Sequence, residues 1–293
     1  MCLGRPTAVD DSDCDCDLPL DIEDDYLERS THPISISHAA TDSTLSSFMA
    51  FARLCSLAGR VLRAVSPLKT RHMAKTQGAK IASKSLLATV STLDRELGEW
   101  VEGLPRSMAF LGPAPETRSS ISTLQTVCYV LHASCVINLY RPLVFSGTSR
   151  LVRSTSAILQ CMNAARSCIH VAAGMSDHVP ASHYLAFCSH YLTLSGIILL
   201  RFSKLVESDV TQDVQACLRQ LAEIEAVWTG AQRSRAILED IYQNFTLSQQ
   251  ESFCSKRKFD QVENDRLNNG NDLFEAFSGG NFNDFLDTSF YHY

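Results

Sequence analysis

The stretch SSISTLQTVCYVLHASCVINLYRP, Ser119 to Pro142, has the periodicity that decides the fold. Ile121, Leu124, Val127, Cys128, Leu131, Cys135, Val136 and Leu139 follow one another in steps of mostly three and four, which places a wide apolar stripe on an α-helix. Ser119 and Ser120 suit the first turn as caps. Pro142 is expected to end the helix, because proline has no N–H and disfavours helical geometry in the residue before it. Val130 and Tyr140 lie off the stripe, so this helix is expected to be packed on more than one side, at the centre of a helical core.

The same period recurs on both sides of it. A helix is expected from Asp42 to Val65, with Leu45, Phe48, Met49, Ala52, Cys55 and Leu62 on its apolar stripe. Another, at 79–102, has Leu86, Leu87, Val90, Leu93, Leu97, Trp100 and Val101, and Gly103 and Pro105 stop it. After the central helix, 149–173 carries Ile158, Cys161, Met162, Ala165, Cys168, Ile169 and Ala172. Ala181 to Leu200 is apolar enough to raise the question of a membrane span. Its serines, two histidines, threonine and glycine make it a buried core helix instead, and no membrane partner is expected. A helix from Asp209 shows Val214, Cys217, Leu218, Leu221, Ile224 and Trp228. The last, 231–245, shows Ile237, Leu238, Ile241, Tyr242 and Phe245. No strand–helix alternation occurs, so the fold class is all-α, an irregular array of about seven helices. The expected organisation is an acidic extended lead-in at 1–40, a helical domain at 41–246, and a tail at 247–293, with both ends disordered.

Charge separates these parts. Residues 1–30 carry ten acids and two bases, and residues 259–293 carry seven acids and one base, whereas the span between them is net +8. Eleven cysteines without an apolar export signal indicate a reducing compartment. Most fall on helical stripes, where a thiol is a small hydrophobe.

Catalytic signatures are missing: no nucleophile elbow, P-loop, dinucleotide fingerprint or zinc-protease histidine pair. An enzyme is therefore not expected. His183 and His190 share a helix face but stand about 10 Å apart along it, too far for one ion. Cys14 and Cys16 have no partner histidines, and no C-x-x-C pair occurs. No metal, cofactor or catalytic residue is expected in this chain. Lys256, Arg257 and Lys258 form a short basic run suited to a nuclear import receptor. In the tail, Phe274, Phe277, Phe282, Phe285, Leu286 and Phe290 are interleaved with Asp272, Glu275, Asp284 and Asp287. Acids that keep aromatics solvated until they dock in a partner groove make an activation segment. Folding back onto the body is the alternative for the same residues. The activation candidates are Phe274, Phe277, Phe282, Asp284, Phe285 and Leu286.

Five stretches, in order, together resemble the middle homology domain of fungal binuclear zinc-cluster transcription factors. They are LGRPTAVDDSDCDCDLP (Leu3 to Pro19), LDRELGEWVEGLP (Leu93 to Pro105), LHASCVINLYRP (Leu131 to Pro142), CMNAARSCIHVA (Cys161 to Ala172) and WTGAQRSRAILEDI (Trp228 to Ile241). The resemblance implies a helical regulatory domain of a nuclear factor acting on RNA polymerase II transcription. It also implies transcription machinery as partner of the acidic tail, and a homo- or heterodimer partner. DNA would be contacted only through the family's six-cysteine zinc cluster, which has no counterpart in residues 1–293, so no zinc ligand carries over. The chain is expected to be either the C-terminal part of a longer factor or a cluster-less relative. In the second case it would be a protein-interaction module that modulates a full-length partner.

Overall fold

The computed structural model describes residues 15, 19, 44–65, 79–106, 108–109, 123–145, 155–175 and 186–259, with the backbone alone at a few helix ends, 250–259 among them. Seven helices account for nearly all of it: α1 (Thr44–Val65), α2 (Ala79–Glu102), α3 (Thr123–Phe145), α4 (Thr155–Met175), α5 (Ala186–Val206), α6 (Thr211–Glu225) and α7 (Gly230–Phe259). There is no strand among the described residues, as the sequence period requires.

The helices pack as a succession. α3 lies against α4 on one side and α1 on the other, α2 lies across α1 and α3, α4 packs on α5, and α6 and α7 close the far end against each other and against α5. Two hydrophobic clusters result. In the first, Leu54 and Val61 of α1 meet Leu93, Leu97 and Trp100 of α2 and Cys128, Leu131, Cys135 and Leu139 of α3. In the second, Val130, Ala133, Ile137 and Val144 of α3 meet Cys161, Ala165 and Ile169 of α4, Leu192 and Ile198 of α5, Cys217 and Leu221 of α6, and Leu238 of α7. α3 is thus the wall between the clusters, and Val136, Tyr140 and Leu143 touch both.

Three details depart from the expected pattern. Pro142 lies inside α3, which continues to Phe145. Only one intrahelical bond, to the carbonyl four residues back, is lost there, and burial of Val144 at 3% exposure holds the remaining turn in place. α7 runs to Phe259, well past the end at 245 read from the apolar period. Beyond Phe245 the helix has little core to face, so its apolar pattern fades although its backbone stays helical.

The third departure concerns α1. The stripe chosen from the sequence includes Phe48, Ala52, Cys55 and Leu62. The structure buries another face, through Ala50, Leu54, Ala58 and Val61, together with Met49. Phe48 is 51% exposed and Cys55 is exposed. α1 is apolar on two faces, and a count of apolar spacings cannot tell which one meets the core.

α5 crosses α7 closely at Gly196. A Cβ built there would lie 2.7 Å from a Leu238 methyl, so any larger residue would force the Leu238 side chain to shift. α1 and α3 are each long and apolar enough to span a membrane by length and composition; 33% of the α1 window is buried in the protein against 67% of the α3 window.

Candidate functional surfaces

α1 carries Arg53, Arg60 and Arg63 and no acidic residue. Two of these arginines reach the seam with α2 and line an open groove of about 430 Å³ with Ala64, Ala88, Thr89, Thr92 and Leu93. The Arg60 guanidinium grips the Glu96 carboxylate through both terminal nitrogens, one at 2.9 Å. Thr89 and Thr92 donate their hydroxyls to the carbonyls of Ser85 and Ala88 one turn back, at 2.9 and 3.1 Å. Toward the groove they therefore offer acceptor lone pairs. The seam is a shallow, open surface lined by both apolar and polar side chains, with the Arg60–Glu96 pair beside it. Arginines every three to seven residues in a helix without acids were the available signal in the sequence. Glu96, 36 positions away, was not visible there as their neighbour.

Polar anchors fix the walls of this half. The Trp100 indole N–H donates to the Ala50 carbonyl at 2.8 Å, locking α2 to α1. The His132 ring stacks on Trp100 with centroids 5.4 Å apart, and its Nε2 lies 3.3 Å from the Leu97 carbonyl. Burial holds the His132 pKa below its ordinary value. Gln125 and Tyr129 of α3 both donate to the Met108 carbonyl, at 3.2 and 2.9 Å, and tie down the segment that follows α2.

The other half has its own network. Asp213, in the first turn of α6, accepts from Arg166 Nε at 3.0 Å and lies 3.0 Å from His170 Nε2, both on α4. Arg166 also donates to the Ser208 hydroxyl. A carboxylate in a first helical turn is favoured by the helix dipole, so this site orders the α5–α6 turn. In that turn Glu207 takes a positive φ of 49°, and the Asp209 carboxylate accepts the Thr211 N–H at 2.9 Å. Arg235 of α7 joins Glu225 of α6 at 2.7 Å and Glu239 one turn on. Asn138 donates to the Tyr191 hydroxyl at 2.6 Å between α3 and α5. Each network joins helices, and its charges are answered within the fold.

The core thiols serve as packing. Cys128, Cys135, Cys161 and Cys168 are fully buried, and desolvation pushes each thiol up to about 12. Cys217 is raised further by the same cause, and its thiol donates to the Leu192 carbonyl at 3.0 Å. They stay protonated at neutral pH, neither nucleophiles nor ready metal ligands. Among the described residues no group of three metal-binding side chains occurs.

The residues singled out by sequence fall at the edge of this description or beyond it. Lys256, Arg257 and Lys258 lie within the last turns of α7, where only the backbone is described. Phe274, Phe277, Phe282, Asp284, Phe285 and Leu286, like His183, Cys14 and Cys16, are outside the described residues. His190 lies on α5 beside buried Cys188, its ring edge-on to Tyr191 at 4.9 Å.

The described body is all-α, is built on one doubly buried helix, and has its helices joined by ion pairs. Its relatives are fungal regulators of transcription. The chain is 23% identical over 198 residues to the "Activator of stress genes protein 1" of Candida albicans, covering 60% of this chain and 19% of that protein. It is 28% identical over 158 residues to the "ABC-transporter-regulating transcription factor" of Aspergillus oryzae, covering 52% and 16%. It is 22% identical over 202 residues to the "Transcriptional activator protein acu-15" of Neurospora crassa, covering 68% and 20%. The chain spans a fifth or less of the length of these relatives. No family model matches it, and no solved structure does.

Proposed function

We propose that this chain is the regulatory and activating part of a fungal transcription factor acting in the nucleus on RNA polymerase II transcription. One observation carries the reading: several regulators, named as activators or transcription factors in different fungi, each align over half or more of the chain. In this reading the helical body sets the active or inactive state of the factor. The segment from Asp272 to Phe290 contacts the transcription machinery through Phe274, Phe277, Phe282, Phe285 and Leu286, with Asp284 and its neighbours keeping the aromatics solvated until they dock. Lys256, Arg257 and Lys258 serve import. DNA contact belongs to a zinc-cluster module carried by the same factor or by a dimer partner. The reading assigns this chain no metal or cofactor of its own.

The end of α7 fixes how to test the tail. Residues 260–293, which start after the last described helix, are fused to an unrelated DNA-binding domain and a reporter is measured. Strong activation is expected, with loss of most of it on replacing Phe282, Phe285 and Leu286 together by alanine. A silent fusion removes the activator role and leaves the chain as an interaction module that modulates a full-length partner.

A further inference from the structure

α1 presents an apolar face that the described core does not use. Phe48, Ala52, Cys55, Gly59 and Leu62 follow one another in steps of four and three, so they form one outward stripe. Phe48 is 51% exposed, Cys55 is exposed, and the other three are half-buried. The stripe is about 21 Å long at the helical rise. Arg53 and Arg60, both exposed, lie to one side of it, with Arg63 between them and the stripe.

A matching segment precedes α1 in the same chain. From Asp11 to Glu23 the sequence alternates with period two: Asp11, Asp13, Asp15, Asp17, Asp21 and Glu23 occupy the odd positions, and Cys14, Cys16, Leu18, Leu20 and Ile22 the even ones. In extended backbone that alternation puts acids on one face and apolar groups on the other, the pattern of a half-buried strand. Two residues of the segment are described, Asp15 and Pro19; both are odd-numbered, and both are exposed. From Cys14 to Ile22 the extended length is about 26 Å, close to that of the α1 stripe. The 21 residues between Ile22 and Thr44 can span up to about 70 Å, so they permit either direction of approach.

We propose that residues 14–22 lie extended along the outward face of α1, with Cys14, Cys16, Leu18, Leu20 and Ile22 against the stripe from Phe48 to Leu62. The acids, on the opposite face of the segment, then point away from the helix and cover this side with negative charge. Docking changes what this side of the body shows a partner, from apolar and basic to acidic. The tether makes the contact intramolecular, so a weak interface suffices to hold it. This does not depend on the role assigned to the tail.

The centres of the two stripes are Leu18 and Cys55, whichever way the segment runs. The full chain bearing Leu18→Cys, oxidised mildly with diamide and mapped by peptide mass spectrometry, is therefore expected to yield a disulfide between the introduced thiol and Cys55 within one molecule. In the unmodified chain, Cys55 is expected to react slowly with iodoacetamide. Changing Leu18, Leu20 and Ile22 together to Asp should speed that reaction about tenfold, as removal of a cover docked nine-tenths of the time would. An unaltered helical circular dichroism spectrum separates this from unfolding. The absence of the 18–55 disulfide, its appearance only between two molecules, or an unchanged labelling rate overturns the proposal.

Discussion

α1 and α3 are near equals as sequences: helices of 22 and 23 residues, both apolar enough to pass for membrane spans. They differ in what surrounds them. α3 touches α1, α2, α4 and α5, and its buried residues circle the helix, from Val127 and Cys128 through Val130, Leu131, Cys135 and Ile137 to Leu139. α1 has α2 and α3 on one side, and Phe48 and Cys55 face outward on the other. Equal apolarity thus has two meanings in one fold. Where apolar side chains are enclosed on every side, they are the source of stability. Where one face is left over, they add exposed apolar surface and little to the core.

Mutations separate the two most sharply. Ile137→Ala, at a fully buried position of α3, is expected to lower the unfolding free energy by about 3 kcal/mol through lost transfer energy and a residual cavity. Urea denaturation reads this directly. Gly196→Ala tests the far end of the α3 side, where the new methyl meets the fully buried Leu238 side chain and must displace it. Overpacking there should cost about 2 kcal/mol, and Leu238→Ala in the same chain should recover part of it. A response of similar size on α1 would mean that its outward face is core after all.

Acid provides a third test. Burial first, and the nearby Arg141 charge second, hold His190 of α5 down to about 4. The unfolded chain binds a proton near pH 6.5 that the folded chain refuses, so stability is present above pH 6.5 and falls as pH drops toward 4. The loss is at most about 3 kcal/mol over that window, and His190→Gln should flatten it. α1 contains no histidine, so no imidazole of its own adds to this response. The smallest effect is expected from Phe48→Ala on α1. Its stability change should stay within about 0.5 kcal/mol, while Cys55 labelling rises because the cover loses its largest contact.

Much of the architecture was legible in advance. Seven helices, the Gly103 and Pro105 stop, the central place of α3, and the buried face of α4 from Ile158 to Ala172 all follow from spacing, because amphipathic helices write their buried side into a local period. Besides the length of α7, three features escaped, each for a reason of scale. Pro142 could not be seen to sit within α3, since the burial of Val144 that holds the last turn comes from other helices. The face of α1 that meets the core could not be chosen, since both faces satisfy the period. Arg60 with Glu96, Arg166 with Asp213, and Trp100 with Ala50 join residues 36, 47 and 50 positions apart, and a linear pattern carries no such pairing.

The sequence by itself determined the helices, their order, and the acidic ends around a basic body. These depend on neighbours within one or two turns, or on composition. The tertiary structure alone decided which apolar residues become core, because burial is a property of the assembled neighbours: α3 was enclosed from both sides, and α1 was left with Phe48 and Cys55 facing out.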